Sequence, residues 1–273
     1  MNIFTTLLTQ PLANGLVLFY RVLGNNMGLA ILIFSISLWV ALRPLTKPYM
    51  ESMKRIKEVA PQLEKLKKKY KNDKVKLAKA QADLYKEKNI NPGAGCLPYL
   101  LQIAILFAFF GMFNKTLGNG GDLTNNFNQL LYEPLRFSPG EVINTRFLYL
   151  DVVKPDVFNI AGINFPIPGP LILLAAIAQF VSAKIMQPYT NIEEKVAKQT
   201  KNETDDMQVS IQKSMIYTFP LMTVFIGTRF ASGLALYWLV FSIMQAYQQY
   251  KSQGWGGMSP LIKRLNLVRS SSR

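Results

Sequence analysis

The apolar residues of this chain are gathered into long runs almost free of charge, and the runs alternate with short stretches crowded with lysine. A soluble fold seldom needs such segregation. A bilayer requires it, because backbone polar groups inside hydrocarbon must be satisfied within helices and the charges must lie in the connections. Five runs approach the roughly 20 residues that a crossing helix needs. They are residues 27–47 (MGLAILIFSISLWVALRPLTK), 94–114 (AGCLPYLLQIAILFAFFGMFN), 169–188 (GPLILLAAIAQFVSAKIMQP), 212–229 and 233–250, the last two joined by a short FAS turn. The expected fold is an all-α membrane protein with five transmembrane helices over residues 27–250.

A further apolar segment precedes residue 27, but Pro11, Asn14 and Gly15 interrupt it. Residues 1–26 are therefore read as an amphipathic helix lying in the extracytoplasmic interface, with a sixth span as the second reading. Orientation follows from the connections. Met50 to Asn91 holds thirteen basic residues, among them Lys54, Arg55, Lys67, Lys68 and Lys69, whereas Thr116 to Pro168 holds only Arg136, Arg146 and Lys154. The tail, residues 251–273, carries Lys251, Lys263, Arg264, Arg269 and Arg273 and no Asp or Glu. Excess Lys and Arg mark cytoplasmic segments. Five crossings then put the lysine-rich segment, the loop from Pro188 to Ile211 and the tail in the cytoplasm, with the N-terminus outside.

Composition removes several chemistries. The chain has no histidine and one cysteine, Cys96, so His-dependent nucleophile pairs, His metal ligands and multi-Cys sites are out of reach. No cofactor or metal is expected, and no enzyme. The net charge of +15 suits phosphate or anionic headgroups alike and does not choose between them. The first residues lack the basic region of a cleavable signal and the Arg- and Ser-rich character of a transit peptide, so a mature plasma-membrane protein of a bacterium is expected.

The cytoplasmic segment 50–91 has its own pattern. Met50, Met53, Ile56, Leu63, Leu66 and Tyr70 recur at helical steps and mark one apolar face. Asn72-Asp73 makes a natural turn, and Lys74 to Lys88 reads as a helix returning. The expectation is a helical hairpin whose lysines form either a solvated face or a docking surface for ribosomal RNA or lipid headgroups.

Three motifs, in order, resemble the YidC-type membrane protein insertases. They are Pro44-Leu45-Thr46-Lys47 followed by the Lys-rich hairpin with Pro61; Asn91-Pro92, Gly95-Cys96-Leu97-Pro98 and Gln102; and Ser232-Gly233-Leu234-Ala235-Leu236-Tyr237-Trp238. Gln10-Pro11-Leu12 and Phe147-Leu148-Tyr149-Leu150-Asp151 add smaller echoes, so the likeness covers the chain from Gln10 to about Lys251. It resembles the short form of the family, without the large extracytoplasmic domain.

The resemblance implies a hydrophilic groove open to cytoplasm and lipid, where a positive charge attracts the polar segment of an incoming chain. Counted back from Pro44, the family's groove arginine falls on Trp39. Arg43 lies one turn nearer the cytoplasm on the same helix face and is the candidate replacement, with snorkelling to headgroups as its structural reading. Ser35, Gln102, Gln179, Thr218 and Gln245 complete the candidate groove, each also readable as interhelical glue. Implied partners are nascent membrane proteins, the ribosome through hairpin and tail, the Sec translocon and membrane lipids, with no small-molecule substrate. A transporter or channel subunit, or a non-catalytic scaffold, is the alternative. Coupled carriers usually place carboxylates in the membrane, and none of the five runs contains Asp or Glu.

Overall fold

A computed structural model of the chain describes residues 3–70, 73–90, 97–117, 123–160, 162, 165–186, 203–262 and 265. A π-helical turn, Thr5–Thr9, leads into α1 (Gln10–Val22). There follow α2 (Met27–Lys69), α3 (Lys74–Glu87), α4 (Leu97–Leu117), α5 (Leu123–Asn128), α6 (Pro170–Met186), α7 (Glu203–Gly227) and α8 (Ser232–Gln253). Two two-stranded antiparallel hairpins lie between α5 and α6: β1 (Arg146–Phe147) with β2 (Leu150–Asp151), and β3 (Val157–Phe158) with β4 (Ile167–Pro168). The all-α class holds. Among the described residues one helix, Met27–Pro48, is long and apolar enough to cross a membrane on length and composition alone. Ile103–Phe113, Pro170–Met186 and Ile216–Gly227 are shorter apolar helices.

The chain divides into two compact units. The first comprises Met1–Leu42, Tyr99–Gln179 and Phe219–Met244. Its core is aromatic. Phe34 meets Phe19 at 5.7 Å and Phe109 at 6.2 Å between ring centres, and Phe109 stacks on the fully buried Tyr237 at 4.6 Å. The three residues that interrupt the first apolar segment in sequence are compatible with its helix, and two of them dock it. Pro11 sits in the first turn of α1, directly after the π-helical turn Thr5–Thr9, and the helix continues through it. Asn14 is buried; its amide donates to the Leu130 carbonyl at 3.0 Å and its oxygen accepts from Tyr132 N–H at 2.7 Å. Gly15 lets the Phe34 ring approach to where a Cβ would stand 2.7 Å away. One face of α1 (Ala13, Leu16, Val17, Tyr20) is buried, while Leu18 and Val22 on the other are exposed.

The segment between α5 and α6 is tied to this unit by polar bonds. Tyr20 Oη accepts from Asn144 N–H, and Asn128 pairs with both backbone groups of Phe137. Asp156 is buried and caps α6: its carboxylate accepts from Leu171 N–H at 2.8 Å and from Tyr149 Oη at 3.3 Å. Gly169 supplies the space, since a Cβ there would overlap that carboxylate.

The second unit comprises Arg43–Pro98, Phe180–Thr218 and Gln245–Arg273. It contains the expected hairpin. Val59, Leu84 and Ile90 form a small core, with Ile56, Leu63, Leu66 and Tyr85 packed against it. Asp73 caps α3 by accepting from Lys76 N–H at 3.0 Å, and the Lys76 ammonium stands 3.0 Å from the same carboxylate. The Lys76 N–H bond, with the ammonium beside it, holds the Asp73 carboxyl below its usual range, and the carboxylate in turn holds the Lys76 ammonium above its own. The return ends on Asn89 (φ 50), whose carbonyl accepts from the Arg55 guanidinium at 3.1 Å. Sequence reading separates a span ending at Lys47 from a hairpin starting at Met50; in the structure α2 is one helix through Pro44, Pro48 and Pro61. Each proline leaves a carbonyl one turn earlier without its helical N–H donor, at Val40, Pro44 and Lys57.

Candidate functional site

Three candidate groove residues lie on α2. Ser35, Trp39 and Arg43 are spaced by four and share one face of the helix. Ser35 is fully buried in the first unit, and its hydroxyl donates to the Ile31 carbonyl at 2.5 Å, the usual way a serine satisfies itself inside an apolar helix. Trp39 is half-buried. Arg43, in the second unit, is exposed and has no carboxylate partner among the described residues. Gln102 lies in α4, and its side chain is outside the described residues.

Two of the remaining candidates, Gln179 and Gln245, join polar pairs between helices. In the first unit Thr223 of α7, buried, donates to Gln179 Oε1 of α6 at 2.6 Å and is one turn from Phe219, whose carbonyl lies 3.1 Å from the same hydroxyl. In the second unit Ser182 of α6 donates to Gln245 Oε1 of α8 at 3.4 Å. Thr218 is exposed on α7 and shares a hydrogen bond with Ser214 one turn earlier. A side-chain bond between helices in hydrocarbon is worth about 0.6 kcal/mol on average and up to about 1.7. Such pairs hold helices in register.

The second unit extends this set beyond the residues singled out in sequence. Gln248 donates to Thr46 Oγ1 of α2 at 3.3 Å. Gln249, 1% exposed, has no donor for its Oε1 among the described residues. Gln248 and Gln249 lie three and four residues after Gln245, so each neighbours it on the surface of α8. The signal was readable: the spacing Ser242, Gln245, Gln249 continues one face past the expected end of the polar positions.

At the other end of α8 two of the sequence motifs meet. Ser232 N–H donates to the Lys154 carbonyl at 2.7 Å, Gly233 N–H to the Val152 carbonyl at 2.9 Å, and the Ser232 hydroxyl to the Asp151 carbonyl at 3.0 Å. These are the first N–H groups of a helix, which have no partner within it. Gly233 is required by the closeness: a Cβ would stand 2.9 Å from Ile31 and Phe113 side chains and 3.0 Å from the Val152 carbonyl. The serine–glycine pair is thus more than a turn. It clasps α8 to the strand that carries Leu150-Asp151.

On the hairpin, Lys54, Arg55, Lys68 and Lys69 are exposed, with the Lys69 ammonium 5.2 Å from the Tyr70 ring centre; the Lys67 side chain is outside the described residues. Among the described residues no group of His, Cys, Asp and Glu is placed to hold a metal.

One helix of membrane-crossing length, shorter apolar helices, hydroxyl–amide pairs between helices and a lysine-rich hairpin are the parts of a helical membrane protein. Comparison with known proteins narrows the class. Residues 18–255 match the family described as 60Kd inner membrane protein. The chain is 32% identical over 226 residues to the membrane protein insertase YidC of Fusobacterium nucleatum, covering 83% of this chain and 85% of that one. It is 32% identical over 249 residues to the protein of that name from Pelobacter propionicus, covering 89% of this chain and 38% of the relative. To that of Caulobacter vibrioides it is 31% identical over 247 residues, covering 89% of this chain and 35% of the relative. The chain belongs to the YidC-type membrane protein insertase family.

Proposed function

We propose that the chain inserts nascent membrane proteins into the bacterial plasma membrane and helps them fold, through a polar path between its helices. The observation that carries this reading is the set of uncharged pairs, Thr223–Gln179, Ser182–Gln245 and Gln248–Thr46, on helices of a family of insertases. Leaving a polar group unsatisfied in hydrocarbon costs several kcal/mol, roughly, and that is the largest barrier a translocated tail meets. Exchangeable hydroxyls and amides, with the Gln249 oxygen that has no donor among the described residues and the Val40 carbonyl freed by Pro44, lower it. Partition into lipid then completes the step with no covalent chemistry.

The topology that fits is five spans, with α1 in the outer interface and the C-terminus in the cytoplasm. Helices α4 and α8 are 21 and 22 residues long, the ~20 residues a bilayer needs; α6 has 17, at the short limit, and α7 contributes its part from Gln212 onward, after the acidic first turns. The positive excess of the hairpin and tail sets the orientation. Arg43, exposed at the cytoplasmic end of the α2 span, supplies the attracting charge, and Ser35, Trp39, Gln102, Gln179, Thr218 and Gln245 line or brace the path. Lys54, Arg55, Lys67, Lys68 and Lys69 form a docking face for the ribosome, with the Sec translocon a further partner at the membrane. A transporter is disfavoured because the five apolar runs hold no Asp or Glu to couple ion flow.

The test is site-specific crosslinking of a ribosome-stalled single-span substrate to single cysteines placed at 39, 43, 179 and 245 in a Cys96→Ser chain. Crosslinks at these positions, with none at lipid-facing Leu173, are expected. Equal crosslinking at all of them, or none at the four, overturns the path.

A further inference from the structure

The end of α8 carries a cluster of exposed aromatic residues. Tyr247 and Tyr250 are exposed, and the Lys251 ammonium lies 5.9 Å from the Tyr247 ring centre. Gly254 (φ 69) stops the helix, its N–H donating to the Tyr250 carbonyl at 2.8 Å. The chain turns there, so that Trp255 packs on Tyr250 at 4.6 Å between ring centres while staying 41% exposed. A 3-10 turn, Gly256–Met258, and a helical stretch at residues 259–262 follow. Leu261 is 52% exposed and Leu265 57%.

Placement along α8 gives the cluster its meaning. Ser232 to Tyr250 spans about 27 Å at helical rise, close to the ~30 Å of a hydrocarbon core. Tyr and Trp prefer the headgroup level, where one end of the ring is apolar and the other wet. Residues leaving that level have two courses: into water, or along the interface. Exposed leucines favour the interface, and the cations Lys251, Lys263, Arg264, Arg269 and Arg273, with no Asp or Glu among residues 251–273, give it a charge to meet. RNA would satisfy the cations and the stacking ring but offers no apolar medium for Leu261 and Leu265. A leaflet of anionic lipid satisfies all three.

We propose that residues 251–265 form a peripheral anchor that lies on an anionic leaflet, with Trp255, Leu261 and Leu265 in the acyl boundary and the basic side chains at lipid phosphates. The proposal rests on α8 crossing the membrane. It needs no particular orientation, because a vesicle carries the lipid on both faces.

The full-length Cys96→Ser, Leu265→Cys protein is labelled with an environment-sensitive fluorophore. It is reconstituted into vesicles of phosphatidylcholine alone or rich in phosphatidylglycerol, each with brominated acyl chains. Strong quenching in phosphatidylglycerol and weak quenching in phosphatidylcholine are expected. Each cation near an anionic surface contributes roughly fivefold to partition, so K263E/R264E lowers the lipid-bound fraction by more than about tenfold. Trp255→Ala, which leaves the charges in place, reduces quenching in both lipids. Quenching indifferent to phosphatidylglycerol and to K263E/R264E overturns the anionic anchor. So does a label that is unquenched in vesicles and shielded only when ribosomes are added. External protease accessibility of the hairpin, measured on the same vesicles, reports the bundle's insertion and orientation separately from the tail.

Discussion

Replacing Asp156 by alanine releases the start of α6, the helix that presents Gln179 and Ser182. The carboxylate is buried and accepts from Leu171 N–H at 2.8 Å, from Ile172 N–H at 3.4 Å and from Tyr149 Oη at 3.3 Å. Losing an N-terminal cap costs about 0.5–2 kcal/mol, and a buried N–H left without an acceptor about 1–3. The two describe largely the same bond, so about 2 kcal/mol is the expected loss. At roughly 2–4 °C per kcal/mol for a chain of this size, Tm falls by about 4–8 °C. The assay is thermal unfolding in mild detergent, followed by intrinsic fluorescence. Asp156→Asn keeps an acceptor oxygen and loses only the charge facing the positive helix end, so it falls by about half as much. An unchanged Tm for Asp156→Ala, or a larger fall for Asp156→Asn than for alanine, would refute the cap as the holding contact.

Three further outcomes follow from the geometry. Gln179→Leu, Thr223→Val and the double variant form a thermodynamic cycle, and a coupling of about 0.6–1.7 kcal/mol is expected from unfolding in detergent; zero coupling refutes the 2.6 Å bond. Arg43→Ala lowers insertion of substrates with acidic translocated tails by about two- to fivefold, with little loss for neutral-tailed ones, on the scale of about 0.5–1 kcal/mol for an exposed, screened ion pair; equal losses count against an electrostatic role. Burial and the neighbouring Asp156 carboxylate push the Tyr149 phenol above its usual range. The folded state therefore holds this proton longer than the unfolded chain, and stability is unaffected below about pH 10 and falls as pH rises from there toward the folded value. Tyr149→Phe removes that part of the alkaline slope, and an identical slope in the variant contradicts the assignment.

The helices and the hairpin were legible because their signals are local. Apolar steps of three and four residues gave the face of α2 that Ile56, Leu63 and Leu66 turn to α3, and Asp73 stood where a helix cap belongs. What the sequence hid is tertiary. Asn14 and Gly15 look like helix breakers until Leu130, Tyr132 and Phe34 are placed against them. Ser232-Gly233 reads as a turn, whereas its hydrogen bonds run to a segment about eighty residues earlier, which no local window contains. A span ending at Lys47 and a hairpin starting at Met50 read as separate pieces, yet one helix continues through Pro44, Pro48 and Pro61. Of the candidate site, Gln179 and Gln245 emerge in interhelical pairs, Ser35 in a bond within its own helix, and Gln248 and Gln249 only from the fold.

The most direct measurement of the central claim is insertion into vesicles that hold the purified full-length chain and nothing else. A single-span substrate with a short polar tail is added without ATP, and protection of that tail from external protease is scored. Tail protection well above that of protein-free vesicles, reduced by Gln179→Leu combined with Gln245→Leu in protein that remains folded and inserted, is the predicted result. Protection no greater than in protein-free vesicles, in lipid where the protein is folded and inserted, would contradict it.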